Sequence, residues 1–111
     1  MDIIETQQQN ITIFSLNGRL DSISSPVFDQ RIVQAIENGS RHIIIDCKKL
    51  DYITSAGLRI VIKTAKKLKL EQGKIVLCEM ADYVKEVFEI AGFDSFLPIV
   101  PALDDALKIA N

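Results

Sequence analysis

Tryptophan is absent, aromatic side chains make up only 6% of the residues, and the formal net charge is −2. Base-stacking platforms need aromatic faces, and nonspecific nucleic-acid binding needs a basic surplus, so the expectation is no nucleic-acid partner. One histidine, His42, and two distant cysteines, Cys47 and Cys78, are too few nitrogen and sulfur ligands for a zinc site. Without CxxC spacing, the cysteines read as reduced thiols in a core. No apolar run approaches the ~18 residues of a membrane span. The opening MDIIETQQQN carries an early acid and lacks the apolar stretch of a signal peptide. The expectation is a cytoplasmic chain with no membrane insertion. There is also no GxxxxGK[ST] phosphate loop, no GxGxxG fingerprint and no GxSxG elbow.

What is present suits one domain over residues 1–111. Apolar residues reach 48%, enough for a continuous core, and charged residues reach 25%, an ordinary surface. NITIFSL (10–16) alternates at Ile11 and Ile13, as a strand with one wetter face would. DIIETQQ before it reads as an antiparallel neighbour, with a turn between them, and NGRLDS after it reads as a loop. SSPVF is a helix start, because proline's fixed φ and missing N–H suit the first turn. Phe28, Ile32, Ala35 and Ile36 then mark one helical face, closed by Gly39. RHIIIDC and KIVLCEM are continuous apolar runs of the kind found in strands covered on both faces. Leu58, Ile62, Ala65 and Leu68 line a second helix ended by Gly73, and Val84, Val87, Phe88 and Ala91 line a third ended by Gly92. FLPIV is placed at a sheet edge, because Pro98 cannot donate to a ladder. PALDDALKIAN reads as a terminal helix.

The order is therefore β-β-α-β-α-β-α-β-α. It predicts an α/β domain with a mixed, mostly parallel sheet, an antiparallel N-terminal strand pair and four helices. In such sheets, sites collect where strands end and helices begin. LDYITSAGLRI (50–60) occupies one such junction and GRLD (18–21) another, so Asp21 and Ser55 are expected at one end of the sheet. From the spacing alone, Ser55 reads as an N-cap, with Thr54 as the alternative. Gly57 disfavours a helix by roughly 0.5–1 kcal/mol relative to alanine, and close approach of a neighbouring backbone would explain it. Ser55 lacks a base for nucleophilic catalysis, because His42 precedes its strand and falls at the far end. Asp21, Asp46 and Asp51 read as loop and cap acids rather than a metal cluster. Arg59, Lys63, Lys66 and Lys67 read as a solvated helix face, with Lys48 and Lys49 near the same loop.

The stretch IIIDCKKLDYITSAGLRIVIKTAKKLKLEQGKIVLCEMADYVKEVFEIAGF, preceded by GRLD, resembles the STAS domain of bacterial anti-sigma factor antagonists. The resemblance covers nearly the whole chain. It implies a binding module with no catalytic residues and no cofactor. It also implies that the serine opening the helix, here Ser55, is phosphorylated by an anti-sigma factor with serine kinase activity. The unmodified form would bind that partner and free a sigma factor; a PP2C-type phosphatase would restore it. Thr54 stands where relatives often carry Asp and adds a second hydroxyl acceptor; Ala56 stands where they often carry Ser or Thr. The implied partner surface is Asp21, Ser22, Thr54, Ser55, Ala56, Gly57, Leu58 and Arg59, on a chain expected to be a monomer when free. The alternative is an unphosphorylated STAS adaptor docking on an ABC-type lipid-transport ATPase or in a stress-signalling assembly.

Overall fold

The computed structural model describes residues 1–110. Five strands and four helices alternate as the hydrophobic pattern requires. They are β1 (Asp2–Gln8), β2 (Ile11–Leu20), α1 (Ser25–Glu37), β3 (His42–Ile53), α2 (Ser55–Leu70), β4 (Lys74–Cys78), α3 (Asp82–Ile90), β5 (Ile99–Val100) and α4 (Leu103–Ala110). A single 3-10 turn, Phe93–Ser95, follows α3. The sheet order is β1-β2-β3-β4-β5, with β1 antiparallel to β2 and every other pair parallel.

Side-chain alternation along the strands divides the core in two. Phe14, Leu16, Ile43, Ile45, Ile75 and Leu77 face α1, α2 and α3, where Phe28, Ile32, Leu68 and Phe88 meet them. Ile11, Ile13, Ile44 and Val76 face the other way, against Ala106 and Ala110 of α4. The small alanines let a helix of only eight residues seat closely on that face. Phe14 and Phe28 pack edge to face with centroids 5.6 Å apart.

The parallel ladder is longer than the apolar runs. Asn17–Leu20, expected as loop, continues β2, and Lys48–Ile53 continues β3; Lys48 and Lys49 therefore stand on a strand. Shifts of register at Ser15/Asn17 and Gly18/Arg19 bend the pair, and backbone pairing holds these polar segments extended. Ile11 to Phe14 are all buried, so the first half of β2 has no wetter face; alternation begins at Ser15, with half-buried Ser15 and exposed Asn17 and Arg19 opposite buried Leu16 and Leu20, and β1 is exposed except for half-buried Ile3. FLPIV contributes only Ile99 and Val100 as strand, while Leu97 enters the core. Gly39 and Gly92 take left-handed backbone after their helices, as expected of helix ends, but after α2 that conformation falls on Gln72. Gly73 serves a different need: an added Cβ would run into the Arg41 carbonyl beneath it.

Candidate functional site

The parallel register between β2 and β3 ends on Leu20 opposite Ile53. The next residues, Asp21 and Thr54, thus leave adjacent strands at the same end of the sheet. A bond across the two exits fixes them: the Thr54 amide donates to the Leu20 carbonyl at 3.0 Å. The Thr54 hydroxyl donates to the same oxygen at 3.4 Å. Helix α2 begins one residue later, and the Leu58 amide is bonded to the Thr54 carbonyl at 2.9 Å.

Ser55 is consequently the first helical residue, and the N-cap position falls to Thr54. Because the Thr54 hydroxyl is turned back to Leu20, no side chain caps α2. Ser55 is exposed, with its hydroxyl at the uncapped, partially positive helix end. No acid occupies that first turn.

Gly57 explains how α2 reaches this place. It is buried, and a Cβ there would lie 2.8 Å from the Leu20 carbonyl oxygen, 2.8 Å from Ile53 Cγ1 and 2.9 Å from Leu20 Cγ. The absent side chain lets the first turn rest on the ends of both strands, as the expectation of close backbone approach required. Ala56 is half-buried, Leu58 buried and Arg59 exposed.

On the other exit, Asp21 organises the loop into α1. Its Oδ1 accepts the amides of Ile23 and Ser24, each at 3.0 Å. The Ser24 hydroxyl donates to the Arg19 carbonyl at 2.7 Å and accepts the Asp21 amide at 3.0 Å. The amide bonds of Ser24 and Ile23 stabilise the carboxylate and hold its pKa below the usual range. This turn leaves Ser22 exposed and lifts Ile23 almost entirely into solvent, at 83% exposure. Tyr52 is also exposed, its ring covered on one face by Arg19 at 4.9 Å. Sequence reasoning did not single out Arg19, Ile23 or Tyr52; an apolar residue in a polar loop was the available signal for Ile23.

His42 opens β3, at the opposite end from Ser55, and its Nδ1 meets the Ala110 carbonyl. Asp46 is spent locally, its Oδ1 accepting the Lys48 amide at 3.0 Å. Among the described residues, no group of three or more His, Cys, Asp or Glu side chains is arranged to hold a metal ion. Among them too, no helix is long and apolar enough to cross a membrane. Of the basic side chains on α2, Lys63 pairs with Asp29 at 2.8 Å and Lys67 with Glu71 at 3.5 Å. Cys47 and Cys78 are free and buried. Desolvation, with the nearby Asp46 charge, pushes the Cys78 thiol up to about 12 and raises Cys47 as well.

A family model of the STAS domain matches residues 2–106. BtrV of Bordetella bronchiseptica, described as a candidate anti-sigma factor antagonist, is 39% identical over 94 residues, covering 85% of this chain and 81% of its own. A solved structure of a candidate anti-sigma factor antagonist from Thermotoga maritima superposes with a TM-score of 0.93, at 16% identity, over 97% of this chain and 93% of its own. The Bacillus cell fate determinant SpoIIAA, solved in its phosphorylated form, superposes with a TM-score of 0.79, at 19% identity, over 99% of this chain and 100% of its own.

Proposed function

Because the chain belongs to the STAS domain family, we propose that it acts as an anti-sigma factor antagonist whose docking is controlled by phosphorylation of Ser55. In the unmodified state the surface around the two strand exits binds an anti-sigma factor that is also a serine kinase, and a sigma factor is released. The kinase transfers the terminal phosphoryl group of ATP to the Ser55 oxygen, the hydroxyl proton leaving to a base on the kinase and ADP departing. A PP2C-type phosphatase hydrolyses the ester and returns the serine.

The observation that carries this reading is the division of labour between two adjacent hydroxyls. Thr54 is half-buried and bonded to Leu20, whereas Ser55 is exposed on the first turn of α2. Ser55 is therefore the better acceptor of the two candidates. A phosphate there adds about −1.5 to −2 charges at neutral pH. The uncapped amides of the first turn favour an anion, so the fold tolerates the group. A partner covering the same surface meets a large new charge. Unfavourable charge at an interface costs several kcal/mol, and each ~1.4 kcal/mol is tenfold in affinity. A candidate anti-sigma factor antagonist at 39% identity and the fold shared with a protein solved in a phosphorylated form support the same reading.

The test pairs the protein with a cognate anti-sigma kinase and ATP, maps the modified residue by mass spectrometry, and measures binding of Ser55→Ala and Ser55→Asp. The expected result is modification at Ser55, none on Ser55→Ala, and at least tenfold weaker binding by Ser55→Asp. Absence of transfer together with unchanged binding of Ser55→Asp refutes the switch and leaves the constant-contact adaptor.

A further inference from the structure

The sheet is unfinished on its β5 side, at the pole opposite Ser55. The peptide groups of β4 alternate between its neighbours: the Lys74 amide points to β3, donating to the Arg41 carbonyl at 2.8 Å, while the Leu77 amide points outward to the Pro98 carbonyl at 2.9 Å. By the same alternation Ile75 points outward too. Pairing with β5 begins only at Leu77 opposite Ile99. Pro98, lacking an N–H, cannot donate to the Ile75 carbonyl, so the ladder stops there. The outward peptide group of Ile75 is thus left without a strand partner beside a groove of about 660 Å³, while the Gly73 amide is turned back to the Leu68 carbonyl at 2.6 Å.

The groove combines an apolar wall with one sign of charge. Phe96, 54% exposed, and Pro98 form its wall, and Lys66, Lys69 and Lys74 stand around it. Neither Lys66 nor Lys69 forms an ion pair among the described residues, and the Lys74 ammonium is held at the edge by the Ile109 carbonyl at 3.2 Å. Among the described residues, no acidic side chain lines the groove. An unpaired strand edge recognises an extended backbone, and flanking pockets select alternate side chains. The geometry points to a second docking site here, independent of the Ser55 surface, that takes an extended acidic segment of a partner protein as an added strand beside β4, its carboxylates facing Lys66 and Lys69.

The test uses a capped hexapeptide of alternating glutamate and valine, titrated into isotopically labelled protein with amide shifts and fluorescence anisotropy as readouts. The expected result is saturable binding that shifts the amides of Gly73–Val76 and weakens as salt rises. Lys66→Glu combined with Lys69→Glu, both at exposed positions, weakens binding at least tenfold with an unchanged melting temperature. A peptide N-methylated at alternate residues, unable to complete the ladder, does not bind. Absence of saturable binding overturns the proposal, as does affinity indifferent to the double charge reversal. Shifts confined to Thr54–Leu58 also overturn it, by placing the acidic peptide at the other pole. Self-association of the free protein through the Gly73–Val76 amides overturns the assignment of occupant, making it a second copy of this chain.

Discussion

Replacing Gly57 by alanine sets two physical terms of opposite sign against each other. In a helix interior alanine is favoured over glycine by about 1 kcal/mol, so propensity alone predicts that Gly57→Ala stabilises the protein. The packing predicts the reverse. The new methyl carbon would sit 2.8 Å from the Leu20 carbonyl oxygen and from Ile53 Cγ1, well inside van der Waals contact. Leu20 and Ile53 are themselves buried, and the obstructing oxygen belongs to backbone locked in the β2–β3 ladder, so neither neighbour yields by a simple rotamer change. Overpacking of this kind costs about 1–3 kcal/mol. Subtracting the propensity gain leaves a net loss of about 2 kcal/mol at the upper end of that range and near zero at its lower end. Because the contact is with backbone, the upper end applies. A domain of this size loses about 4 °C of melting temperature per kcal/mol. Urea unfolding should show a lower midpoint at unchanged slope, and amide shifts should concentrate at Leu20, Thr54 and Ser55 as the first turn of α2 lifts from the strand ends. A variant as stable as the parent, or more so, would refute the account of why α2 begins where it does.

Other consequences of the structure are open to direct measurement. Asp21 has a folded pKa below its unfolded value, so its bonds to the Ile23 and Ser24 amides contribute stability above the ordinary carboxylate range that disappears as pH falls through the folded pKa; Asp21→Asn should flatten the acid limb of a stability profile, below the ordinary carboxylate range. Phe28→Ala removes a fully buried ring from its edge-to-face contact with Phe14 and should cost about 3–5 kcal/mol by chemical denaturation. Cys78, held up to about 12 by burial, should resist iodoacetamide at pH 8 in the native protein and react promptly in urea, with Cys47 behaving the same way.

The order of elements was legible because the chain spells its buried strands as uninterrupted apolar runs rich in β-branched residues. Ile43–Ile45 and Ile75–Leu77 leave no polar face to place outside, and a parallel sheet between helices is the arrangement that covers both sides. The strand ends were not legible for the opposite reason. Lys48, Lys49, Asp51 and Tyr52 are exposed, so their side chains carry no burial period. They remain extended because the backbone of β3 pairs with Asn17–Leu20 of β2, a constraint that only the partner strand supplies. The same omission misplaced the cap. Read locally, Ser55 looks like the residue before a helix; once the ladder is carried to Ile53, Thr54 completes it and Ser55 is already inside the first turn.

The Leu20 carbonyl unites these features. One oxygen receives the Thr54 amide, receives the Thr54 hydroxyl, and occupies the space that a side chain on residue 57 would need. Each contact removes a freedom from the junction: the first joins the two strand exits, the second engages one of two neighbouring hydroxyls, and the third sets the height of the helix. What remains unconstrained is the Ser55 side chain, exposed on a rigid support beside the Asp21 turn. A hydroxyl so placed can gain or lose a charged group without disturbing a buried contact, because no buried contact depends on it. Stability and binding should therefore separate at this position: Ser55→Asp should melt within about 1 kcal/mol of the parent, since an acid in a helix's first turn is itself mildly stabilising, while its affinity for the partner falls at least tenfold. Loss of both together would mean that the serine supports the fold rather than the interface.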